Sequence, residues 1–276
     1  MPMLDLGPDD ALYYEWTPPL DAGAPSFVFV NPITGDTSLW TGAVTPPLVA
    51  AGYGALVYDF RGQARSRYRA DRALDADLIV ADLAAVVRHA APAAPILVGL
   101  SIGGLYAARA ILEEGVDAAG LVLVNTLRKL SPRVRWMNDA TLRAMQVGGP
   151  NLMKDLYFHL LVGEAFQAAN RDAFLADPPD YAPLDPQSGA YNLVTHMART
   201  GWDVDWSKLR LPTLVMTGLQ DRVFYDAANV AELYASLPDA RRIDVAQAGH
   251  MLPAETPGRL VEALLAFGAE IGGATP

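Results

Sequence analysis

The chain has 276 residues, 51% of them hydrophobic and 19% charged, which is enough for a full core and excludes wholesale disorder. Its 31 acidic residues outnumber the 21 basic ones, so the composition offers no basic face to a nucleic acid. There is no cysteine, which excludes disulfides, thiolate zinc sites, iron–sulfur clusters and a cysteine nucleophile together.

The first ten residues, MPMLDLGPDD, are acidic and interrupted by prolines, unlike the basic start and unbroken apolar run of a secretory signal. No apolar run approaches the roughly 18 residues that cross a bilayer. The expectation is a cytoplasmic protein with neither a membrane nor a nucleic-acid partner; a homo-oligomer is left open.

Short apolar runs follow at Ser26–Val30, Gly54–Tyr58, Pro95–Leu100 and Gly120–Val124. Each is about five residues long and rich in Val, Leu and Ile, the pattern of strands covered on both faces of a parallel sheet. Between them lie helical stretches, Asp75–Ala90 and Ser101–Glu114. Strand–helix–strand alternation predicts a doubly wound, mostly parallel α/β sheet. From about Leu127 to Leu209 the strand runs stop and only helix-like segments remain, among them Leu152–Val162. Three of the five tryptophans, Trp136, Trp202 and Trp206, fall there. The earlier rhythm then resumes with a strand at Pro212–Thr217, a helix near Ala227–Ser236, a strand at Arg241–Val245 and a helix at Pro257–Ile271. The predicted organisation is a core of residues 1–126 and 210–276 interrupted by a helical cap of residues 127–209.

The chemistry concentrates at the ends of these strands. Gly99-Leu100-Ser101-Ile102-Gly103 is a G-x-S-x-G sequence at a strand-to-helix junction. There a serine on a strained turn projects its hydroxyl above the sheet edge, and small flanking residues let strand and helix approach. The N–H of Ile102 opens the helix beside that hydroxyl and suits a developing oxyanion. A serine nucleophile needs a base. Of the four histidines, His89 ends a helix, and His159 and His196 lie within the helical insertion. His250 sits in a small-residue loop between a strand and the last helix, where ligands meet an open α/β sheet. The orienting acid is expected between serine and histidine. Asp221 lies in the exit loop after Pro212–Thr217; Asp226 reads as a helix N-cap, and Asp244 lies within a strand. The second oxyanion donor is expected in the loop Asn31–Trp40, with the Ile33 N–H as candidate.

The segments NPITGDTSLW, DFRGQARS (Asp59–Ser66), GLSIGG, GLQDRV and AGHMLPAETP run in this order over almost the whole chain, and together they resemble an α/β-hydrolase. The Asn-initiated loop, GLSIGG and Val124-Asn125-Thr126 before Ser131-Pro132 are similar to 3-oxoadipate enol-lactonases and related small esterases. The resemblance implies an α/β-hydrolase fold with a helical cap and hydrolysis of a small-molecule carboxylic ester or lactone. It also implies a Ser101-Asp221-His250 triad and neither metal nor organic cofactor. Two departures stand out: Asn31-Pro32 occupies the place of a more common His-Gly, and Ala64 replaces the second glycine of D-x-R-G-x-G-x-S. Ser101 argues against epoxide hydrolases and haloalkane dehalogenases, which use an aspartate at that place. An acyltransferase, a perhydrolase or a carbon–carbon bond hydrolase would use the same triad, and a catalytically silent ligand-binding protein would share the fold. For the substrate pocket the cap offers Trp136 and Tyr157, with Phe158, Phe166 and Phe174 nearby. Arg61, Arg128 and Arg133 are candidate partners for an anionic substrate group.

Overall fold

The computed structural model describes residues 2–175 and 177–273. Strands β1 (Met3–Gly7), β2 (Asp10–Thr17) and β3 (Ser26–Val30) lead into two short helices, α1 (Ser38–Thr41) and α2 (Thr45–Ala50). Then come β4 (Gly54–Tyr58), α3 (Ala76–Ala90), β5 (Pro95–Leu100), α4 (Ile102–Glu113) and β6 (Gly120–Val124). A purely helical stretch follows: α5 (Pro132–Met153), a π-helical turn at Lys154–Phe158, α6 (His159–Leu161), α7 (Glu164–Phe174) and α8 (Gly189–Met197). The chain ends with β7 (Thr213–Gly218), α9 (Ala227–Ala235), β8 (Ala240–Val245), α10 (Leu252–Glu255) and α11 (Pro257–Ile271).

The eight strands form one sheet in the order β1-β2-β4-β3-β5-β6-β7-β8. From β4 to β8 all neighbours are parallel, while β1 and β2 add an antiparallel edge. Every residue of β3, β4, β5 and β6 is buried, as their unbroken apolar sequences require. Alternation along each strand divides the core in two: Val28, Leu97 and Leu123 pack with α3 and α4, and Phe29, Val98 and Val124 pack with α2 and α11 on the opposite face. The N-terminal pair is absent from the sequence reading. In β1 only Leu4 and Leu6 turn toward the core and the strand is half-exposed, so MLDLG lacks the apolar run of a central strand.

Helix starts follow local chemistry. Asp75 caps α3 through the Leu78 N–H (3.0 Å), Ser131 caps α5 through Val134, and Asp226 caps α9 through Asn229. In α5 the helix bends where Gly149 takes φ +67° immediately before Pro150, which has no N–H to continue the ladder. Among the described residues no helix is long and apolar enough to cross a membrane.

Candidate active site

The site lies at the carboxyl ends of the central strands. Ser101 follows β5 directly and stands at φ +57°, ψ −122°, a conformation that side-chain-bearing residues rarely adopt. Three bonds fix it there. Its N–H donates to the Val124 carbonyl at 2.8 Å, and its carbonyl accepts from the Thr126 hydroxyl (3.0 Å) and the Gly104 N–H (3.2 Å). The glycines around it are required by space. A Cβ on Gly103 would run into the carbonyl oxygens of Val30 and Asn31, and one on Gly99 would meet the backbone of Gly104.

His250 and Asp221 come from the loops after β8 and β7. The His250 Nδ1 lies 2.7 Å from Asp221 Oδ2, and both side chains are almost wholly buried. The other carboxylate oxygen, Oδ1, accepts the N–H groups of Val223 and Phe224, each at 2.9 Å. Burial alone would raise the Asp221 carboxyl. The charge and hydrogen bond of His250, together with those two N–H groups, outweigh it and hold the carboxyl below its ordinary value. An ionised carboxylate only accepts, so Nδ1 carries the ring proton and Nε2 is the nitrogen left to exchange one with the cavity.

The imidazole's loop is clamped from three sides. Asn125, at φ +50° after β6, donates to the carbonyls of Gly249 (3.1 Å) and His250 (2.8 Å) and accepts from the Gly218 N–H (2.8 Å). Glu255 accepts from the N–H groups of Gly249 and Met251, each at 2.8 Å, and from Gly163 at the start of α7 (2.6 Å). The His250 N–H donates to the Leu161 carbonyl at 2.5 Å. The segment 161–163 and the histidine loop are thus tied together by one backbone bond and by the Glu255 carboxylate, a residue that lies within AGHMLPAETP but whose role the sequence reading does not assign.

The loop after β3 is braced as firmly. Asn31 is fully buried, accepts the Trp40 indole N–H at 2.8 Å and donates to the Tyr58 carbonyl at 2.9 Å. Gln63 donates to the carbonyls of Pro32 (3.2 Å) and Ile33 (3.0 Å). Asn31 therefore shapes this loop in the place of the more common histidine. Among the described residues no backbone acceptor takes the N–H of Ile33 or Ile102. Ala64, where a glycine was expected, does take a left-handed conformation, at φ +38°.

A cavity of about 120 Å³ brings Ser101, Ile102, Ile33, His250 and Tyr157 together. The Ser101 hydroxyl has no hydrogen-bond partner among the described residues, though it shares the cavity with His250. Asp221 stands behind His250, outside that cavity. Trp136, expected to line it, is 78% exposed on the outside of α5, and its neighbours Met137 and Asn138 turn inward instead. Phe158, Phe166 and Phe174 pack on one another, with Phe158 and Phe174 stacked at 4.8 Å, around a separate cap cavity of about 330 Å³. Arg61 is buried in an ion pair with Asp82 and Asp10, and Arg133 donates to the Tyr225 carbonyl; of the three candidate cations only Arg128 reaches the Ser101 cavity. The remaining histidines lie elsewhere: His89 bonds with the Tyr14 hydroxyl, His196 with the carbonyl of Asn192 one turn back, and His159 lines the separate cap cavity.

Comparison with known proteins agrees with this architecture. The thermophilic esterase of Thermogutta terrifontis, in its malate-bound structure, superposes with a TM-score of 0.78 at 21% identity, over 95% of this chain and 94% of that one. The enol-lactonase from Burkholderia xenovorans LB400 gives 0.75 at 19% identity, over 94% and 96%. In sequence, 193 residues are 34% identical to part of the polyketide synthase ThaQ of Burkholderia thailandensis. That match takes in 64% of this chain but only 9% of the length of that much larger protein. Residues 27–263, from the first residues of β3 into α11, match the alpha/beta hydrolase family, and the chain belongs to it.

Proposed function

We propose that this protein is a serine hydrolase that cleaves a carboxylic ester or lactone through an acyl-enzyme. The observation that carries the reading is the buried 2.7 Å contact between Asp221 and His250, in a histidine that shares its cavity with Ser101 on a strained turn. In this reading the Ser101 hydroxyl attacks the acyl carbon while His250 Nε2 takes its proton. Asp221 keeps the other ring nitrogen protonated and stabilises the imidazolium. The free N–H groups of Ile33 and Ile102 receive the oxyanion, and the protonated His250 returns its proton to the departing alcohol. Water, deprotonated by His250, then attacks the acyl-enzyme and releases the acid. The esterase and lactonase among the structural neighbours support this substrate class.

Labelling with a fluorophosphonate, read by intact mass, tests the reading on the wild type and on Ser101→Ala. A single adduct on the wild type and none on the variant supports an activated serine. No adduct on either folded protein refutes it and favours a ligand-binding role without turnover. The similarity to part of a polyketide synthase favours a second substrate class, acyl thioesters, with hydrolysis or transfer of the acyl group by the same residues. An N-acetylcysteamine thioester series compared with the matching ethyl esters separates the two classes.

A further inference from the structure

Arg128 follows β6 and is more than nine-tenths buried. Its guanidinium lies between two aromatic rings, 3.8 Å from the centre of Trp202 and 4.2 Å from that of Phe224. Those faces attract a cation but accept none of its hydrogen bonds in plane, and Nε and Nη1 have no partner among the described residues. Arg61, equally buried, has carboxylates against its charge: Asp82 accepts from Nε (2.9 Å) and Nη2 (2.5 Å), and Asp10 lies 2.9 Å from Nη1, close enough for an ion pair though not in hydrogen-bond geometry. No carboxylate plays that part for Arg128. Asp221 is the acid whose charge it feels, yet both Asp221 oxygens are taken by His250, Val223 and Phe224. Burial pushes the guanidinium down to about 9, the direction expected of a desolvated cation that no carboxylate contacts.

Arg128 also lines the Ser101 cavity, and among the described residues that do so it is the one Lys, Arg, Asp or Glu. The rest of the lining is mostly Met, Leu, Val and Ile, with His250 and Tyr157 as its other titratable groups. A buried guanidinium that no carboxylate contacts, on a residue that lines the cavity of the proposed nucleophile, is a place built for an anion that arrives with the ligand.

We propose that Arg128 binds a free carboxylate on the acyl part of the substrate, so that the enzyme acts on half-esters or half-thioesters of dicarboxylic acids. This rests on the serine-hydrolase reading. A charge on the acyl part stays bound after the alcohol has left, and it therefore orients the carbonyl in both acylation and deacylation.

The test compares p-nitrophenyl hydrogen glutarate with p-nitrophenyl pentanoate, acyl chains that differ only in a terminal carboxylate for a methyl. The succinate/butanoate and adipate/hexanoate pairs cover neighbouring lengths. The expected kcat/KM ratio at the best length favours the anionic ester at least tenfold in the wild type. It falls at least tenfold in Arg128→Met, with Arg128→Lys between the two. The ratio cancels any general loss of activity in the variant. A wild type that prefers the neutral ester, or a ratio that falls less than tenfold in Arg128→Met, overturns the proposal. Should Arg128→Met fail to fold, the wild-type ratio and its change in Arg128→Lys decide. If neither ester turns over and no fluorophosphonate adduct forms, the hydrolase reading has failed, and binding still tests Arg128. Glutarate then raises the melting temperature of Ser101→Ala, and the rise vanishes in Ser101→Ala/Arg128→Met. No rise in Ser101→Ala, or an equal rise in both, overturns the inference on its own.

Discussion

Replacing Asp221 with asparagine isolates what the carboxylate does, because the structure dictates how the amide must sit. Oδ1 accepts two backbone N–H groups, from Val223 and Phe224, so the amide oxygen is obliged to remain there. The amide NH₂ then takes the place of Oδ2, 2.7 Å from His250 Nδ1. An NH₂ only donates, so Nδ1 must accept, and the ring proton moves to Nε2, where it blocks removal of the Ser101 proton. The expected loss in kcat is about 10⁴-fold, the size of the wrong-tautomer effect in a serine protease, or about 5.5 kcal/mol at 1.36 kcal/mol per decade. KM should change little, since Asp221 does not line the cavity. Stability at pH 7 should fall by only about 1–2 kcal/mol, as two charge-assisted backbone bonds become neutral ones. The pH dependence has a definite sign. The Asp221 carboxyl is held below its ordinary value, so the stability it contributes is present above the unfolded carboxylate range near 4 and is lost as pH falls through the lower, folded value. The stability gap between wild type and Asp221→Asn should therefore narrow from pH 7 to pH 3. Steady-state hydrolysis of p-nitrophenyl esters and urea unfolding at both pH values measure these quantities. Asp226→Asn is the control: asparagine caps a helix as well as aspartate, and kcat should stay within twofold. A kcat loss below tenfold in folded Asp221→Asn, or an equal loss in Asp226→Asn, would refute the assignment of the acid.

Glu255→Gln should lower kcat by about 10–100-fold and stability by about 1–3 kcal/mol, because an amide NH₂ in the place of Oε1 leaves the Met251 N–H without an acceptor, the other two N–H groups keep only a neutral one, and the His250 loop loosens; urea denaturation with parallel ester kinetics reads both. Asn31→Ala should leave the Trp40 indole N–H without its partner and free the Ile33 loop, costing about 1–3 kcal/mol and more activity than stability accounts for; thermal unfolding and kcat/KM check it. Gly103→Ala should lose 2 kcal/mol or more, in the sense of ~2–4, since the new methyl meets two backbone carbonyls that cannot swing aside; a smaller change in calorimetry would contradict the close packing. Ala64→Gly should raise stability by about 0.5–1 kcal/mol in urea titrations, relieving a left-handed alanine at φ +38°.

What could be read in advance tracks how strictly physics restricts the residue type. The central strands show in the sequence because burial on both faces forces an unbroken apolar run, as in SFVFV and GLVLV. The serine turn shows because only glycine fits at Gly99 and Gly103, which makes the constraint visible in composition. Asp221 and His250 follow once the strands are placed, since each sits in the first loop after its own strand. Strands β1 and β2 did not show: β1 is a half-exposed edge strand, and in β2 the buried run Asp10–Tyr13 opens with an aspartate that is paired with Arg61, so neither has the unbroken apolar run of a central strand.

The cap marks the other limit. Its helices are visible as periodic segments, but which face of each turns toward Ser101 is decided by tertiary packing. Trp136 and Met137 are adjacent on α5, both apolar and both acceptable in a pocket, yet the first is exposed and the second lines the cavity. A helix rotated by one residue, about 100°, exchanges their roles, and the sequence contains no term that fixes the rotation. In the structure α5 is held by its own side chains: Arg133 donates to the Tyr225 carbonyl, Asn138 to the Ala198 carbonyl and Gln146 to the Tyr191 hydroxyl, while Arg128 packs against Trp202 at the far end of the insertion. The charge that reads in sequence as one of three unplaced arginines thus becomes specific only through its surroundings: Arg61 finds carboxylates, Arg133 finds a carbonyl, and Arg128 alone faces the cavity with donors to spare.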